Sequence, residues 1–198
     1  TDNCGATITA TTTDPLTYNT QGTHVITWSF DDVNGNITTE TQNVIINDVT
    51  APVADVATLA DVTAECEVAS ITAPTATDNC GATITGTTTD PLTYNTQGTY
   101  IITWSFDDGN GNTSTQTQNV VINDVTAPVA DVATLADVTA ECEVALITAP
   151  TATDNCGATI TGTTTDPLSY NTQGTHVITW SFDDGNGNIT TETQNVII

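Results

Sequence analysis

The chain is 198 residues long, with 24 acidic residues, no lysine or arginine, and a formal net charge of −24. Phosphate contacts come chiefly from basic side chains, so nucleic acid is excluded as a partner, and attraction to anionic lipid is excluded on the same ground. Regular Val, Ile, Trp and Phe positions set the chain apart from disordered acidic tails, no apolar run is long enough to span a membrane, and the expected counterions are metal ions or basic partners.

The chain repeats itself. "TDNCGATIT" begins at Thr1, Thr77 and Thr153, and "WSFDD" begins at Trp28, Trp104 and Trp180, a period of 76 residues. The expected organisation is the C-terminal part of a truncated repeat over 1–46 and complete repeats over 47–122 and 123–198. Residue 1 then falls inside a repeat, and such a segment carries no information on leaders or anchors. A 76-residue unit is near the lower limit for a self-sufficient core, so cross-links, ions or neighbours are expected to help it.

Within the 47–122 repeat, "NDVTAP" leads into strand candidates inside "DVATLADVTAEC" from Asp55. "ATITGTTT" from Ala82 follows, and then the strongest element, "GTYIITWSFDD", in which Ile102, Trp104 and Phe106 alternate with Thr103 and Ser105. One face of that strand is core and the other is solvent, and the tryptophans Trp28, Trp104 and Trp180 read as core. "TQNVVIN" from Thr117 closes the unit. Thr and Val dominate, and Pro52, Pro74 and Pro91 lie between the runs as edge or turn residues. No segment keeps a helical period. Short strands at this spacing, repeated in tandem, predict immunoglobulin-like antiparallel β-sandwiches strung into an extended rod.

Cysteines give the compartment. Cys66 and Cys80, then Cys142 and Cys156, recur as "AECEV … TDNCG", with Cys4 left over and its partner expected upstream. A pair per unit at fixed separation predicts one disulfide per domain in an oxidising, extracellular setting. A loop of about 15 residues closed in this way stabilises by roughly 3 kcal/mol in the chain-entropy account. A metal site of the Cys/His kind lacks its histidines.

The succession "APTATDNCGATITG", "YNTQGTYIITWSFDDGNGNTSTQTQNVVI" and "NDVTAPV" resembles the hyalin (HYR) repeat, an immunoglobulin-like module. It is similar above all to the versions strung in arrays in surface adhesins of gliding or biofilm-forming Bacteroidota. Animal hyalin repeats commonly place a cysteine in the last strand, where this chain has "TQTQNVV". That departure favours pairing Cys66 with Cys80 and Cys142 with Cys156. The resemblance implies an extracellular, cell-surface stalk or adhesive array.

In such a sandwich the loop after "ITWSF" and the loop holding "TATDNCG" emerge at one end, where "NDVTAP" also enters. Asp48, Asp78, Asp107, Asp108, Asn110 and Asn112 would then converge, as would Asp124, Asp154, Asp183, Asp184, Asn186 and Asn188 in the last repeat, with Asp31, Asp32, Asn34 and Asn36 in the first. Carboxylates without a basic partner repel one another, and a hard cation such as Ca2+, which takes six to eight oxygens, resolves this. The D-x-N-x-N spacing of Asp108, Asn110 and Asn112 opens like an EF-hand, but Thr113 replaces the required Gly and no Glu closes the loop. The competing expectation is a solvated turn of ordinary turn formers. Val33 stands where the later repeats have Gly109 and Gly185, so that position is expected to keep ordinary backbone geometry, with Gly35, Gly111 and Gly187 left-handed.

Chemistry looks absent. His24 and His176 stand where the middle repeat has Tyr100, and read as exposed strand residues. Serines lack a base partner, and an enzyme is not expected. Asn36, Asn112 and Asn188 lie in formal glycosylation sequons, and the many threonines suit solvent-facing β positions. The expected function is a calcium-stiffened stalk or spacer of a long adhesin, whose partners are neighbouring repeats and a surface, glycan or protein ligand. The alternatives are repeats that bind ligand themselves, through Tyr18, Tyr94 and Tyr170, or a self-assembling filament.

Overall fold

The computed structural model describes residues 3–5, 7–81, 83–157 and 159–198. Among these residues the chain is all-β. Its strands in order are β1 (Gly22–Asp31), β2 (Ile37–Ile46), β3 (Val53–Ala54), β4 (Val62–Ala64), β5 (Thr75–Thr77), β6 (Thr83–Thr85), β7 (Gly98–Asp107), β8 (Thr113–Ile122), β9 (Val129–Ala130), β10 (Val138–Thr139), β11 (Thr151–Thr153), β12 (Thr159–Thr161), β13 (Thr175–Asp183) and β14 (Ile189–Ile197). The strand expected from Ala82 is β6, and Ala82 itself lies outside the described residues. The chain divides into two compact units. One gathers the chain up to Asp55 with Thr75–Gly86 and Ser105–Ser114, and the other gathers Val56–Pro74, Thr87–Trp104 and Thr115–Ile198.

In the first unit β1 and β2 form an antiparallel hairpin in register from Gly22↔Ile46 to Asp31↔Ile37. A small sheet, β3-β5-β6, pairs Val53 with Thr77 and Ala76 with Ile84. Its inward residue Ala76 is fully buried, while Thr75 and Thr77 on either side are exposed, the period-2 alternation of a sheet with one wet face.

The second unit shows the sandwich completely in the last repeat. Sheet β9-β11-β12 presents Ala130, Ala152 and Ile160, and sheet β10-β14-β13 presents Val138, Val196, Ile178, Trp180 and Phe182 to the same core. Ile178, Trp180 and Phe182 are the alternating positions of the strongest strand, and each is essentially inaccessible to solvent. Burying side chains of this size stabilises by about 1.5–3 kcal/mol apiece. The indole N–H is satisfied as well: Trp180 Nε1 donates to Gln194 Oε1 at 3.1 Å, and Gln194 Nε2 donates to the Ala136 carbonyl at 3.0 Å. Trp104, Gln118 and Ala60 repeat the chain of bonds in the middle repeat.

One pairing departs from the antiparallel expectation. β10 runs parallel to β14, Val138 opposite Val196, and β4 runs parallel to β8, Val62 opposite Val120. These partners are the second and last strands of a repeat, with three strands between them along the chain, so no hairpin forces them antiparallel.

Candidate functional site

The "DDGNGN" segment is the turn of the β7–β8 hairpin, and most of its polarity is spent locally. Asp107 Oδ1 accepts the Gly109 N–H at 2.8 Å, as Asp31 Oδ1 does for Val33 and Asp183 Oδ1 for Gly185. Asp108 Oδ1 accepts the N–H groups of Asn110 and Asn112, and its Oδ2 accepts Asn112 Nδ2 at 2.7 Å. Asp184 holds Asn186 and Asn188 in the same way, and Asp32 holds Asn34 and Asn36. Partial desolvation works to raise the Asp108 and Asp184 carboxyls, and these amide hydrogen bonds outweigh it, holding both below the ordinary range. At Asp32 the Asn36 side chain is the main cause of the same lowering. Asp31, Asp107 and Asp183 therefore behave as turn residues.

The turn contains a correction. Val33 takes φ +63°, and Gly109 and Gly185 take +80° and +84°, so this position is left-handed in every repeat, alongside Gly35, Gly111 and Gly187. The carboxylate two residues back draws the N–H of this position into the ring of hydrogen bonds, which overrides the β-branched preference.

The other acidic residues converge as expected. Asp48 enters from the segment before β3, and Asp78 lies in the turn between β5 and β6. They are 8% and 4% exposed, and their counterparts Asp124 and Asp154 are 4% and 5% exposed. Asn110 Nδ2 reaches Asp48 Oδ2 at 3.4 Å and Asn112 Nδ2 reaches the Asp48 carbonyl at 3.3 Å. Asn186 and Asn188 reach Asp124 likewise, at 3.1 and 3.2 Å. Asp78 Oδ2 accepts the Cys80 N–H at 2.8 Å, but Asp78 Oδ1 is buried with no hydrogen-bond partner, and so is Asp154 Oδ1. Ligand-type atoms of Asp48, Asp78 and Cys80 lie within 4.8 Å of one another, as do those of Asp124, Asp154 and Cys156. Partial desolvation, with the Asp48 and Asp78 charges added, pushes the Cys80 thiol up, and the hard donors of the cluster are its carboxylate and amide oxygens. In the first repeat Asp2, the counterpart of Asp78, lies outside the described residues.

The disulfide pairing differs from expectation. Cys66 is bonded to Cys156, not to Cys80, and Cys142 is unbonded rather than joined to Cys156. The bond links consecutive repeats. Closing a loop of 90 residues corresponds to about 4–5 kcal/mol in the chain-entropy account, more than the short intra-repeat loop would give. The reason lies in what surrounds the sulfurs. Glu65 Oε2 accepts Thr126 Oγ1–H at 2.7 Å and Asn155 Nδ2–H, which draws the "AECEV" turn onto the next repeat's "TDNCG" turn. Gln97 bridges the same place, donating Nε2 to the Glu65 carbonyl at 2.9 Å and accepting the Asp124 N–H on Oε1 at 2.9 Å. Gln21 accepts the Asp48 N–H at 2.8 Å, one period earlier.

Glu65, Gln97, Thr126 and Asn155 escaped the sequence reading, although Gln21, Gln97 and Gln173 recur in "YNTQG" and could have been found by asking why the residue beside the tyrosine repeats. The tyrosines themselves are packed. Tyr94 is buried and packs tilted against Tyr100 with ring centroids 4.7 Å apart, and Tyr18 and Tyr170 stack on His24 and His176. Desolvation pushes the Tyr94 and Tyr170 hydroxyls up. The histidines are half-buried rather than exposed, each with Nε2 on a backbone carbonyl, Thr20 or Thr172.

No helix among the described residues is long and apolar enough to cross a membrane. Among solved structures the chain is similar to mouse protocadherin-24 EC1-3 (TM-score 0.34, 12% identity, covering 93% of this chain and 82% of that one) and mouse cadherin-23 EC22-24 (TM-score 0.33, 13% identity, 88% and 73%), levels too low to carry an argument. It is 33% identical over 204 residues to hyalin of Lytechinus variegatus and 36% identical over 216 residues to hyalin of Strongylocentrotus purpuratus. Those matches cover 96% and 100% of this chain but only 38% and 18% of the two hyalins. The profile described as "HYR-like domain with 4 cysteines" matches residues 49–122 and 125–198, each of which carries two cysteines here, Cys66 and Cys80 or Cys142 and Cys156. Those two segments make up most of the sequence, and by them the chain belongs to the family of HYR-like domains with four cysteines.

Proposed function

We propose that these repeats are non-enzymatic spacers of an extracellular, adhesive cell-surface array, in which a calcium ion at the leading end of each repeat restrains the segment that joins it to the repeat before. The observation that carries this reading is the pair of bare, buried oxygens, Asp78 Oδ1 and Asp154 Oδ1, each beside a second buried carboxylate in a chain without lysine or arginine. An uncompensated buried carboxylate pair is costly, and a hard cation offsets that cost. Asp48, Asp78, Asn110 and Asn112 would hold the ion in one repeat, and Asp124, Asp154, Asn186 and Asn188 in the next. Rotating the Asn110 and Asn186 amides by half a turn exchanges a donor for a carbonyl oxygen ligand. The ion would supply charge neutralisation and a rigid link among three segments. Because Asp124 is tied through its N–H to Gln97 of the preceding repeat, fixing Asp124 fixes that passage.

Thermal melting of the intact, oxidised chain in millimolar calcium and in excess EDTA tests this reading. A dissociation constant of about 10⁻⁴ M, ordinary for extracellular modules, gives about 1.4 kcal/mol per site at millimolar calcium. Calcium is expected to raise the melting temperature well beyond sodium chloride at matched ionic strength. An equal rise in both salts would reduce the effect to screening of the acidic surface, and the calcium joint would be abandoned.

A further inference from the structure

The bond between Cys66 and Cys156 joins one repeat to the next, and its two halves recur elsewhere in the chain without partners. Cys142 is the counterpart of Cys66, and Cys80 the counterpart of Cys156. Both unpaired halves already have the shape of the bonded ones. Around Cys142, Gln173 Nε2 donates to the Glu141 carbonyl at 2.9 Å, as Gln97 does to Glu65, and the bridge Val144↔Tyr170 repeats Val68↔Tyr94. Around Cys80, Asp78 Oδ2 accepts the Cys80 N–H at 2.8 Å and the Asp78 carbonyl accepts the Gly81 N–H at 3.0 Å, the values found at Asp154, Cys156 and Gly157. Cys80 and Cys142 are both exposed, so another chain segment can reach them.

We propose that Cys80 and Cys142 are open halves of a disulfide ladder, in which the "AECEV" cysteine of every repeat is oxidised onto the "TDNCG" cysteine of the repeat that follows. The partner of each is another copy of the same 76-residue unit. Every passage between repeats is then stapled, and no repeat is closed on itself. Glu141, by its correspondence with Glu65, takes the threonine and asparagine of the following unit and guides the sulfurs together. The ladder does not depend on whether an ion is bound.

The chemistry needs a thiol–disulfide oxidant, for which oxidised glutathione serves. One cysteine thiolate attacks the glutathione disulfide and releases a glutathione thiol. The second cysteine thiolate then attacks the mixed disulfide and releases the other. Two protein thiols lose two protons and two electrons, one S–S bond forms, and the oxidant is reduced to two thiols.

The test is a disulfide map of the intact chain, folded at low concentration in a glutathione redox buffer, alkylated, and cleaved at acidic and aromatic residues, since there is no lysine or arginine for trypsin. A Cys66–Cys156 peptide with Cys4, Cys80 and Cys142 alkylated is expected. Peptides joining Cys66 to Cys80 or Cys142 to Cys156 would overturn the ladder. In a chain extended by a further copy of residues 123–198, Cys142 is expected to leave the alkylated set and appear bonded to the added "TDNCG" cysteine. Cys142 remaining alkylated there defeats the proposal. The Cys66→Ser variant guards against misfolding of the longer chain: Cys156 is expected to become alkylated, and its capture by Cys142 instead counts against the ladder.

Discussion

Asp166 Oδ2 accepts the backbone N–H of Thr179 at 2.7 Å, so a loop carboxylate takes a ladder position on β13, the edge strand of its sheet. Asp90 does the same for Thr103 at 2.7 Å, and Asp14 for Thr27 at 2.6 Å. The loop is itself braced, because the Asp166 N–H donates to Thr164 Oγ1 at 3.0 Å. A hydrogen bond to a charged acceptor contributes about 1.5–3 kcal/mol, reduced at a half-buried site, so Asp166→Ala is expected to cost about 1–2 kcal/mol. Urea denaturation of the variant checks it, and an unchanged midpoint would mean that water replaces the carboxylate without loss.

A second tie of this kind gives a pH dependence. Asp131 accepts the hydroxyls of Thr151 and Thr153, and Asp55 those of Thr75 and Thr77. The threonine hydroxyls hold both carboxyls below the ordinary value of 3.8. A carboxyl with a depressed folded-state pKa adds stability that is fully present above 3.8 and is lost as the pH falls below it. Removing the hydroxyls in Thr151→Val with Thr153→Val is expected to destabilise the chain at about pH 5.5 and to make much less difference at about pH 2.5. Denaturation curves at both values check it, and a pH-independent difference would assign the effect to packing.

The sequence makes the period, the all-β class and the core strand legible because each is local. The alternation of Ile102, Trp104 and Phe106 states which face is buried, and repetition at 76 residues multiplies the signal. The convergence of Asp48, Asp78, Asn110 and Asn112 was readable too, since sandwich connectivity brings those turns to one end. The disulfide was not. Within one unit Cys66 and Cys80 are close in sequence, and nearness along the chain favours the short loop. The selection of Cys156 instead depends on Glu65 meeting Thr126 and Asn155, a contact between repeats that no single unit encodes. The handedness at Val33 was hidden for a related reason, because residue preference was weighed without the carboxylate of Asp31 that captures its N–H.

The proposed ion site yields a residue-level expectation. Asp154→Asn removes one charge of the buried pair and keeps its shape, so the variant is expected to be as stable as the parent in EDTA, or more so, and to lose the calcium-dependent rise contributed by the last repeat. Asp183→Asn, at an exposed turn position outside the cluster, is expected to keep that rise. Melting each variant with calcium and with EDTA separates them. Equal loss of the calcium response in both would point to diffuse surface charge, not to a site at Asp154.

The left-handed turn position offers the last expectation, because the three repeats already form a mutant series. Val33 is 93% exposed at φ +63°, and at Gly185 a Cβ would meet nothing within 4 Å, so neither position involves packing and only the backbone differs. A left-handed conformation costs an L-residue roughly 1–2 kcal/mol, and glycine avoids this at some loss of unfolded-chain entropy. Val33→Gly is therefore expected to slow hydrogen exchange at the Asp32 N–H, which donates to the Asn36 carbonyl at 3.2 Å. Gly185→Val is expected to lower the stability of the last repeat by about 1 kcal/mol, read from chemical denaturation. Opposite signs for the two substitutions place the strain at this one backbone position. The same sign for both would mean that the turn relaxes to another conformation when valine is present, and that the hydrogen bond from Val33 to Asp31 does not hold it left-handed.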